Sequence, residues 1–393
     1  MRISDRLRKL KPSATLAVNA KAQELKAQGK DIVSLAVGEP DFGTPQHVRE
    51  AAKRAIDEGF TRYTPVPGIP DLRAAIAGYY AHFYGVCAKG ENTIASTGGK
   101  QAIFNLLQAI INPGDEVLIP APYWVSYPPM VELAEGVPVI VPSTPENGFL
   151  VSVGDLEASC TPRTTALMLN TPSNPTGCHY PQEALDEIAR WAKARGIFII
   201  SDEVYDRLVY PPAKPSTLSG FWQKHPESVA VIGALSKSFC MTGWRMGWTL
   251  GHTELIKACA TIQGQSTSNI NSVTQKAAIA ALTGPWDLVE EMKVAFIRRR
   301  DKALATITSW PGVTCPKPDG AFYLFPVVDS YYTAEVPDSA ALCTAFLEHA
   351  GVALVPGSAF GDDRCVRFSY AVADEVLEGA LAKVGQVLAG MRK

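Results

Sequence analysis

The sequence has little excess charge of either sign. Its 37 basic and 39 acidic side chains leave a formal net charge of -2, and charged residues make up 19% of the chain. Nucleic acids and anionic membrane surfaces bind proteins that carry an excess of positive charge, which this sequence lacks. Neither kind of partner is therefore expected. Hydrophobic residues make up 47% of the chain, which excludes the polar composition of a disordered protein.

Long hydrophobic runs and paired cysteines are also lacking. No stretch approaches the roughly 20 apolar residues of a membrane span, and residues 1–30 hold no apolar run of the kind found in a secretory signal. The eight cysteines form no Cys-x-x-Cys pair, and the adjacent Cys178 and His179 have no further ligands near them in the sequence. We therefore expect a cytoplasmic protein with mostly buried free thiols and no metal site.

Alternating strand and helix patterns between residues 90 and 250 predict an α/β fold. The alternation is typical of a mostly parallel sheet with helices on both faces. Helices are predicted to begin near Lys100 and near Pro181, each with one apolar face. The predicted strands are Glu116–Pro120, Val137–Val141, Thr165–Leu169, Ile197–Ser201, Val229–Ala234 and Met246–Leu250.

The length of the chain, 393 residues, favours two domains over one. A break at Leu282–Pro285 precedes a long charged helix, and an α+β pattern follows as far as an amphipathic helix at Val376–Met391. We predict a large domain at 47–287 and a smaller α+β domain formed by 1–46 together with 288–393.

Polar residues directly follow several of the predicted strands. Asn170 and Asn174 follow one strand. Asp202, Glu203 and Tyr205 follow the next, and Ser236 and Lys237 follow a third. Ligands of open parallel sheets bind at the carboxyl ends of the strands. These side chains are therefore expected to meet in one site.

The segment Thr97–Lys100 contains two glycines between a predicted strand and a predicted helix. Small residues there allow the N–H groups at a helix N-terminus to approach a phosphate, although a plain turn is the alternative. Arg245, eight residues after Lys237, could supply charge for the same phosphate or could be an ordinary surface arginine.

Seven motifs resemble those of one enzyme family and follow its order along the chain. The run Ser236–Gly247 resembles the cofactor-lysine signature of the class I and II aminotransferases, which depend on pyridoxal 5'-phosphate (PLP). The likeness is greatest to the bacterial aspartate aminotransferase subgroup, including its aspartate/prephenate members, in the segments Lys11–Thr15 and Gly99–Gln101. The other six motifs are Val37–Asp41, Tyr63–Pro65 with Gly68, Pro122–Trp124, Asn174–Gly177, Ser201–Tyr205 and Val366–Tyr370.

The resemblance implies that 47–287 is the PLP-binding domain and that Lys237 holds the cofactor as a Schiff base and moves the substrate proton. It implies further that Asp202 pairs with the pyridine nitrogen and that Asn174 and Tyr205 donate to the phenolic oxygen. The remaining implied cofactor contacts are Trp124 on the ring, Gly99, Lys100, Ser236 and Arg245 at the phosphate, and Tyr63 reaching the neighbouring site of a homodimer.

The implied substrate contacts begin with Arg367, which would clamp the α-carboxylate with its planar fork of donors. Gly38 would donate a backbone N–H to the same carboxylate, and Trp124 and Asn174 would line the space beside it. These roles imply amino acids and 2-oxo acids as the partners of the protein.

The side-chain specificity is expected to favour dicarboxylates. The resemblance implies that Lys100 binds the second carboxylate, with Ser13 and Thr15 nearby. We expect ping-pong transfer between aspartate and 2-oxoglutarate. An aspartate/prephenate aminotransferase, to which Lys11 would be relevant, an alanine or aromatic aminotransferase, and a β-lyase remain alternatives on the same motifs.

One position departs from the family pattern. Ala234 stands three residues before Lys237, where the family usually has Ser or Gly, so a hydroxyl contact to the phosphate is missing. Tyr127 is expected to contact Asp202 on the side away from the cofactor and to hold its carboxyl group in position. The plainer alternatives are a surface lysine at 237 and a helix N-cap at Asp202. A PLP-sensing regulator is not expected, because only a short stretch precedes Val37.

Overall fold

The structure is a computed structural model that describes residues 3–5, 7, 10 and 14–391. Its strands are β1 (Val33–Ser34), β2 (Thr93–Thr97), β3 (Glu116–Pro120), β4 (Val137–Val141), β5 (Thr164–Asn170), β6 (Phe198–Asp202), β7 (Val229–Ala234), β8 (Met246–Leu250), β9 (Tyr323–Leu324), β10 (Val352–Ala353), β11 (Val355–Pro356) and β12 (Val366–Ser369). Its helices are α1 (Ala14–Ala27), α2 (Gln46–Asp57), α3 (Pro70–Tyr84), α4 (Gly98–Ile110), α5 (Tyr127–Leu133), α6 (Val153–Ser159), α7 (Gln182–Arg195), α8 (Ser219–Lys224), α9 (Leu235–Ser238), α10 (Thr253–Ser266), α11 (Ser272–Thr283), α12 (Asp287–Thr308), α13 (Ser339–Ala345) and α14 (Asp374–Met391).

A seven-stranded sheet in the order β2-β8-β7-β6-β5-β3-β4 forms the centre of the fold. Its pairings from β7 to β4 are parallel, which confirms the predicted α/β class. Strand β8 is antiparallel to both of its neighbours, a direction that the predicted mostly parallel sheet left open. The segment 235–245 that joins β7 to β8 is too short for the crossover that a parallel neighbour requires.

Both faces of this sheet are buried, because successive strand residues point to opposite sides. On one face Leu167 and Ile199 join the apolar cluster that includes Leu185 and Ile188 of α7. On the other face Ile200 and its neighbours pack in a second cluster beneath α4, whose apolar residues recur at helical spacing as Ala102, Ile103, Leu106 and Leu107. Helices therefore cover both faces, as the sequence predicted.

Two small sheets lie outside the central one. Strand β1 pairs in parallel with β10, and β12 pairs antiparallel with both β11 and β9. The pairing of β1 with β10 joins an early segment of the chain to a late one. All seven strands of the large sheet fall within 47–287, and the domain boundaries themselves stay a prediction.

All eight cysteines lie in the described part of the chain and are free, four of them buried, three partly buried and Cys87 exposed. Among the described residues, no helix has the length and apolar character needed to cross a membrane.

Candidate active site

A cavity of about 380 Å³ lies at the carboxyl ends of the parallel strands. Asn170, Asp202 and Ala234, the last residues of β5, β6 and β7, all line it. The opposite wall comes from outside the large sheet, where Tyr323 belongs to β9 and Arg367 to β12. The expectation that the polar strand ends meet in one site is therefore confirmed.

Most of the residues singled out in the sequence line this cavity. Tyr63 does not, and this residue is 92% exposed. Ser13 and Lys11 lie outside the described residues. The predicted residues in the cavity wall are Thr15, Gly38, Gly99, Lys100, Trp124, Asn174, Asp202, Tyr205, Ser236, Lys237, Arg245 and Arg367.

Lys237 lies in the short helix α9 that directly follows β7. Its Nζ donates a hydrogen bond of 2.6 Å to the carbonyl oxygen of Gly38. Burial lowers the pKa of Lys237 to about 8, an effect that Glu39 opposes and that the positive charges of Arg367 and Arg245 reinforce. The amine can therefore lose its proton near neutral pH, as a nucleophile or base must.

Asp202 ends β6 with its carboxyl group buried. Tyr127 donates a hydrogen bond of 2.6 Å to Oδ2, which is the support expected from the sequence. The Val204 N–H approaches Oδ1 only at 3.4 Å, so this oxygen retains accepting capacity. Burial raises the pKa of Asp202 to about 6, against the opposing effects of Tyr127, Val204 and the Lys237 charge. The carboxylate is suited to a positively charged partner in the cavity.

Arg367 is a buried cation whose hydrogen-bond partners among the described residues carry no charge. Nη1 donates to Oδ1 of Asn174 at 2.9 Å, and Nη2 donates to the carbonyl oxygen of Ala36 at 2.5 Å. Nε has no hydrogen-bond partner within the described part of the chain. Asn174 is fixed in turn, because its N–H donates to Oδ1 of Asn170 at 2.8 Å. A buried, oriented guanidinium with a free donor is suited to an anionic ligand.

The turn between β2 and α4 makes a cradle without side chains. Gly98 has a φ of +80°, and a Cβ there would lie 2.7 Å from Nη2 of Arg245. That guanidinium is held by the carbonyl oxygens of Thr242 at 3.0 Å and Thr97 at 3.3 Å. The free N–H groups at the start of α4 and this cation together fit a phosphate group.

Lys100 and Trp124 form the next part of the wall. Nζ of Lys100 lies 4.9 Å from the centroid of the Trp124 ring. Burial lowers the pKa of Lys100, and the charge of Arg245 lowers it further. The cavity therefore contains cationic groups at Lys100, Arg245 and Arg367, an acidic group at Asp202 and a reactive amine at Lys237. This set of donors and acceptors fits PLP together with an anionic amino acid.

Several lining residues were assigned no role from the sequence, among them Asn170, Glu39 and Tyr323. Asn170 and Glu39 lie beside residues that were identified, so their position in a motif was an available signal. Tyr323 had no such signal, because its place in the site depends on the pairing of β9 with β12.

Comparisons with known proteins agree with this geometry. A family model described as aminotransferase class I and II matches residues 30–384. The aspartate/prephenate aminotransferase of Cereibacter sphaeroides is 44% identical over 396 residues and covers 99% of this chain and 99% of its own. The aspartate aminotransferase of Geobacillus stearothermophilus is 43% identical, with 98% of each chain covered.

A solved structure gives the same result for the fold. The aspartate aminotransferase from Thermus thermophilus with maleate matches with a TM-score of 0.93 and 44% identity, covering 98% of this chain and 100% of that one. The chain therefore belongs to the class I and II aminotransferases, which depend on PLP.

Proposed function

We propose that this protein transfers the amino group of aspartate to 2-oxoglutarate in a ping-pong cycle. The observation that carries the substrate assignment is that Arg367 and Lys100 line the same cavity. Two cationic side chains in one cavity match the two carboxylates of a dicarboxylic amino acid. The names of the relatives support the same assignment.

PLP, when bound, supplies an electron sink for charge that develops at the substrate α-carbon. Asp202 would hold the ring nitrogen, Asn174 and Tyr205 would donate to the phenolic oxygen, and Trp124 would cover the ring. Lys237 would bind the aldehyde carbon through its amine. The phosphate would be held by Ser236, by Arg245 and by the backbone N–H groups of Gly99 and Lys100 at the start of α4, which leaves the Lys100 side chain for the substrate.

Lys237 then has a second task, which is to take the proton from the substrate α-carbon and to return one. The lowered pKa of Lys237 suits it to both steps, because a general base works best when its pKa lies near the working pH. The carbonyl oxygen of Gly38, 2.6 Å from Nζ, gives the amine a defined resting position.

Arg367 would bind the α-carboxylate, with a backbone N–H of Gly38 beside it. Lys100 would bind the second carboxylate, and Thr15, which lines the same cavity, would lie near it. Ser13 belongs to the same proposal, although it lies outside the described residues.

The experiment is a substrate panel on the parent and on Lys100→Ala, with keto acid formation measured for aspartate, alanine, phenylalanine and cystathionine. Removal of one charged contact is expected to lower kcat/KM for aspartate by about 10- to 100-fold, since such a contact contributes about 1.5–3 kcal/mol. The values for alanine and phenylalanine should change little. Lys257→Ala is the control, since Lys257 lies on the surface and pairs with Glu254. Equal losses for all substrates would contradict the dicarboxylate assignment.

Prephenate is a second candidate amino acceptor. Several relatives carry the name aspartate/prephenate aminotransferase, among them that of Thermus thermophilus at 44% identity. Adding prephenate to the panel tests this directly. Turnover of prephenate that falls in Lys11→Ala while aspartate turnover stays unchanged would support it, and absence of turnover would exclude it.

A cytoplasmic homodimer is the form in which we propose that the protein acts. Free thiols at all eight cysteines suit a reducing compartment. Tyr63 is exposed and lies outside the cavity of its own chain, which suits a residue that completes the site of a second copy. Mixing Tyr63→Ala and Lys237→Ala chains tests this, because a hybrid dimer regains one intact site. No gain in activity on mixing would contradict shared sites.

A further inference from the structure

Tyr323 is brought into the site by pairing between strands that are distant in the sequence. In the antiparallel pair β9 and β12, Tyr323 lies opposite Ser369. Arg367 lies two residues before Ser369 and therefore shares its face of the strand. The guanidinium carbon of Arg367 lies 4.7 Å from the centroid of the Tyr323 ring. The aromatic ring and the buried cation are therefore direct neighbours.

The turn before Tyr323 is fixed on the loop that carries Asn174. The carbonyl oxygen of Gly177 accepts hydrogen bonds from the N–H groups of Asp319 and Gly320, at 3.1 and 3.0 Å. A Cβ at Gly177 would lie 2.9 Å from the carbonyl oxygen of Tyr323, so the two backbones are in close contact. Tyr323 is thus anchored to the part of the site that holds Asn174.

The buried Tyr323 side chain touches three parts of the site at once. Its hydroxyl lies 2.9 Å from the hydroxyl of Tyr205. Its ring lies against Arg367. Its hydroxyl also lies against the backbone of Gly38, where any Cβ would collide with it. Gly38 must therefore be glycine because Tyr323 occupies the space of a side chain.

We propose that Tyr323 is a positioning residue for amino transfer, one that directs the hydroxyl of Tyr205 towards the cofactor and holds the guanidinium of Arg367 in place for the substrate carboxylate. This rests on the proposed function, because it takes Tyr205 as a donor to the phenolic oxygen of PLP.

The direction of the hydrogen bond between the two tyrosines follows from counting protons. Burial raises the pKa of both Tyr205 and Tyr323, so both hydroxyls keep their protons at neutral pH. Each hydroxyl has one proton to donate. If Tyr205 donates its proton to the cofactor, its oxygen is free to accept the proton of Tyr323. The hydroxyls then form a chain that runs from Tyr323 through Tyr205 to the phenolic oxygen.

Such a chain strengthens its terminal donor, because each hydrogen bond polarises the next by about 10–30%. A stronger donor stabilises negative charge on the phenolic oxygen and so favours the deprotonated form of the bound cofactor. A phenylalanine at 323 would keep the ring against Arg367 but would remove the chain. The hydroxyl, rather than the ring, is therefore the part to test.

The test is Tyr323→Phe, and the readout is the pH at which the visible absorbance band of the bound cofactor titrates. We expect this midpoint to rise by about 0.3 to 0.5 units, the size of a partly weakened hydrogen bond. Tyr210→Phe is the matched control, because the hydroxyl of Tyr210 is also buried but donates to the carbonyl oxygen of Ala321, away from the cavity wall. It should leave the midpoint unchanged.

A double-mutant cycle with Tyr205→Phe separates positioning from simple packing. In the Tyr205→Phe background, Tyr323→Phe should cause no further shift, because Tyr323 acts through Tyr205. A midpoint in Tyr323→Phe equal to that of the parent, or a full shift that persists without the Tyr205 hydroxyl, would overturn the proposal. If the parent binds no PLP, the proposed function fails; a normal parent band with no response at Tyr323 overturns only this inference.

Discussion

The two walls of the cavity are built in different ways. The wall that we assign to the cofactor consists of the ends of β5, β6 and β7 in one buried sheet, and of the start of α4, which directly follows β2 of that sheet. The substrate wall consists of the loop after β1 with Gly38, and of β9 and β12 with Tyr323 and Arg367. The first wall comes from consecutive strands, and the second joins segments from opposite ends of the chain. With the proposed roles, cofactor chemistry would depend on the edge of the large sheet, and substrate recognition would depend mainly on contacts outside that sheet.

Arg367→Lys should separate the two walls with the largest effect. Lysine keeps the charge but loses the planar fork that bonds Asn174 and Ala36. We expect kcat/KM for aspartate to fall about 100- to 1000-fold, as expected for loss of a bidentate charged contact. The absorbance of bound PLP should remain. Arg364→Lys is the control, since Arg364 pairs with the neighbouring Asp362. Joint loss of substrate and cofactor binding would show that the walls are not independent.

The pH dependence of cofactor loading tests the reactive amine of the cofactor wall. Burial lowers the pKa of Lys237 to about 8, and only the neutral amine attacks an aldehyde. The rate at which PLP-free protein takes up PLP should therefore rise by roughly tenfold per pH unit below that pKa and level off above it. Absorbance after rapid mixing gives the rate. A rate that keeps rising to the pKa of an ordinary lysine would contradict the effect of burial.

Arg299→Met should weaken substrate binding, although Arg299 does not line the cavity. Arg299 of α12 donates two hydrogen bonds, of 2.7 and 2.9 Å, to Asp41 on the loop that carries Gly38. Loosening this loop is expected to raise KM for aspartate by about tenfold while leaving the cofactor band in place.

Arg298→Met is the matched control for this change. The side chain of Arg298 is 58% exposed, whereas that of Arg299 is 7% exposed. Arg298 donates to Asp374 and not to Asp41. Because exposed ion pairs contribute little, we expect KM to stay within about twofold of the parent value. Arg299 also donates to Asp374, at 3.2 Å, so equal effects of the two variants would assign the change to Asp374 rather than to the Gly38 loop.

Ala234→Ser should strengthen phosphate binding at the cofactor wall, with the smallest effect of the four changes. Ala234 ends β7 and lines the cavity at the position where the family usually has Ser or Gly. One added hydroxyl bond to a charged phosphate is expected to slow PLP dissociation by about three- to tenfold. Ala234→Gly serves as the control, because it changes the side chain without adding a donor. The same dissociation rate in both variants would place the phosphate away from residue 234.

The sequence was most informative where structure is local. Strands such as Glu116–Pro120 and Val229–Ala234 have the predicted bounds, because a buried strand is a short apolar run between turns. Asp202 and Lys237 were identified because each directly follows such a strand. The meeting of these strand-end residues in one cavity was therefore predictable.

Long-range pairing was not predictable in the same way. The antiparallel direction of β8 and the position of Tyr323 both depend on which strands pair with each other. Local sequence patterns do not predict strand pairing. Arg367 was identified only through the family motif around it. Local pattern thus predicted which strand-end residues meet in the cavity, and the family resemblance supplied Arg367 and the role of each residue.

The most direct measurement is to load the protein with PLP, reduce it with borohydride and locate the phosphopyridoxyl group by mass spectrometry of the digested chain. Reduction makes the link between the cofactor and its lysine permanent. The label should be found on the peptide that contains Lys237, and it should be absent from Lys237→Ala treated in the same way. A label on Lys100 or on another lysine, or no label at all, would contradict the assignment of Lys237.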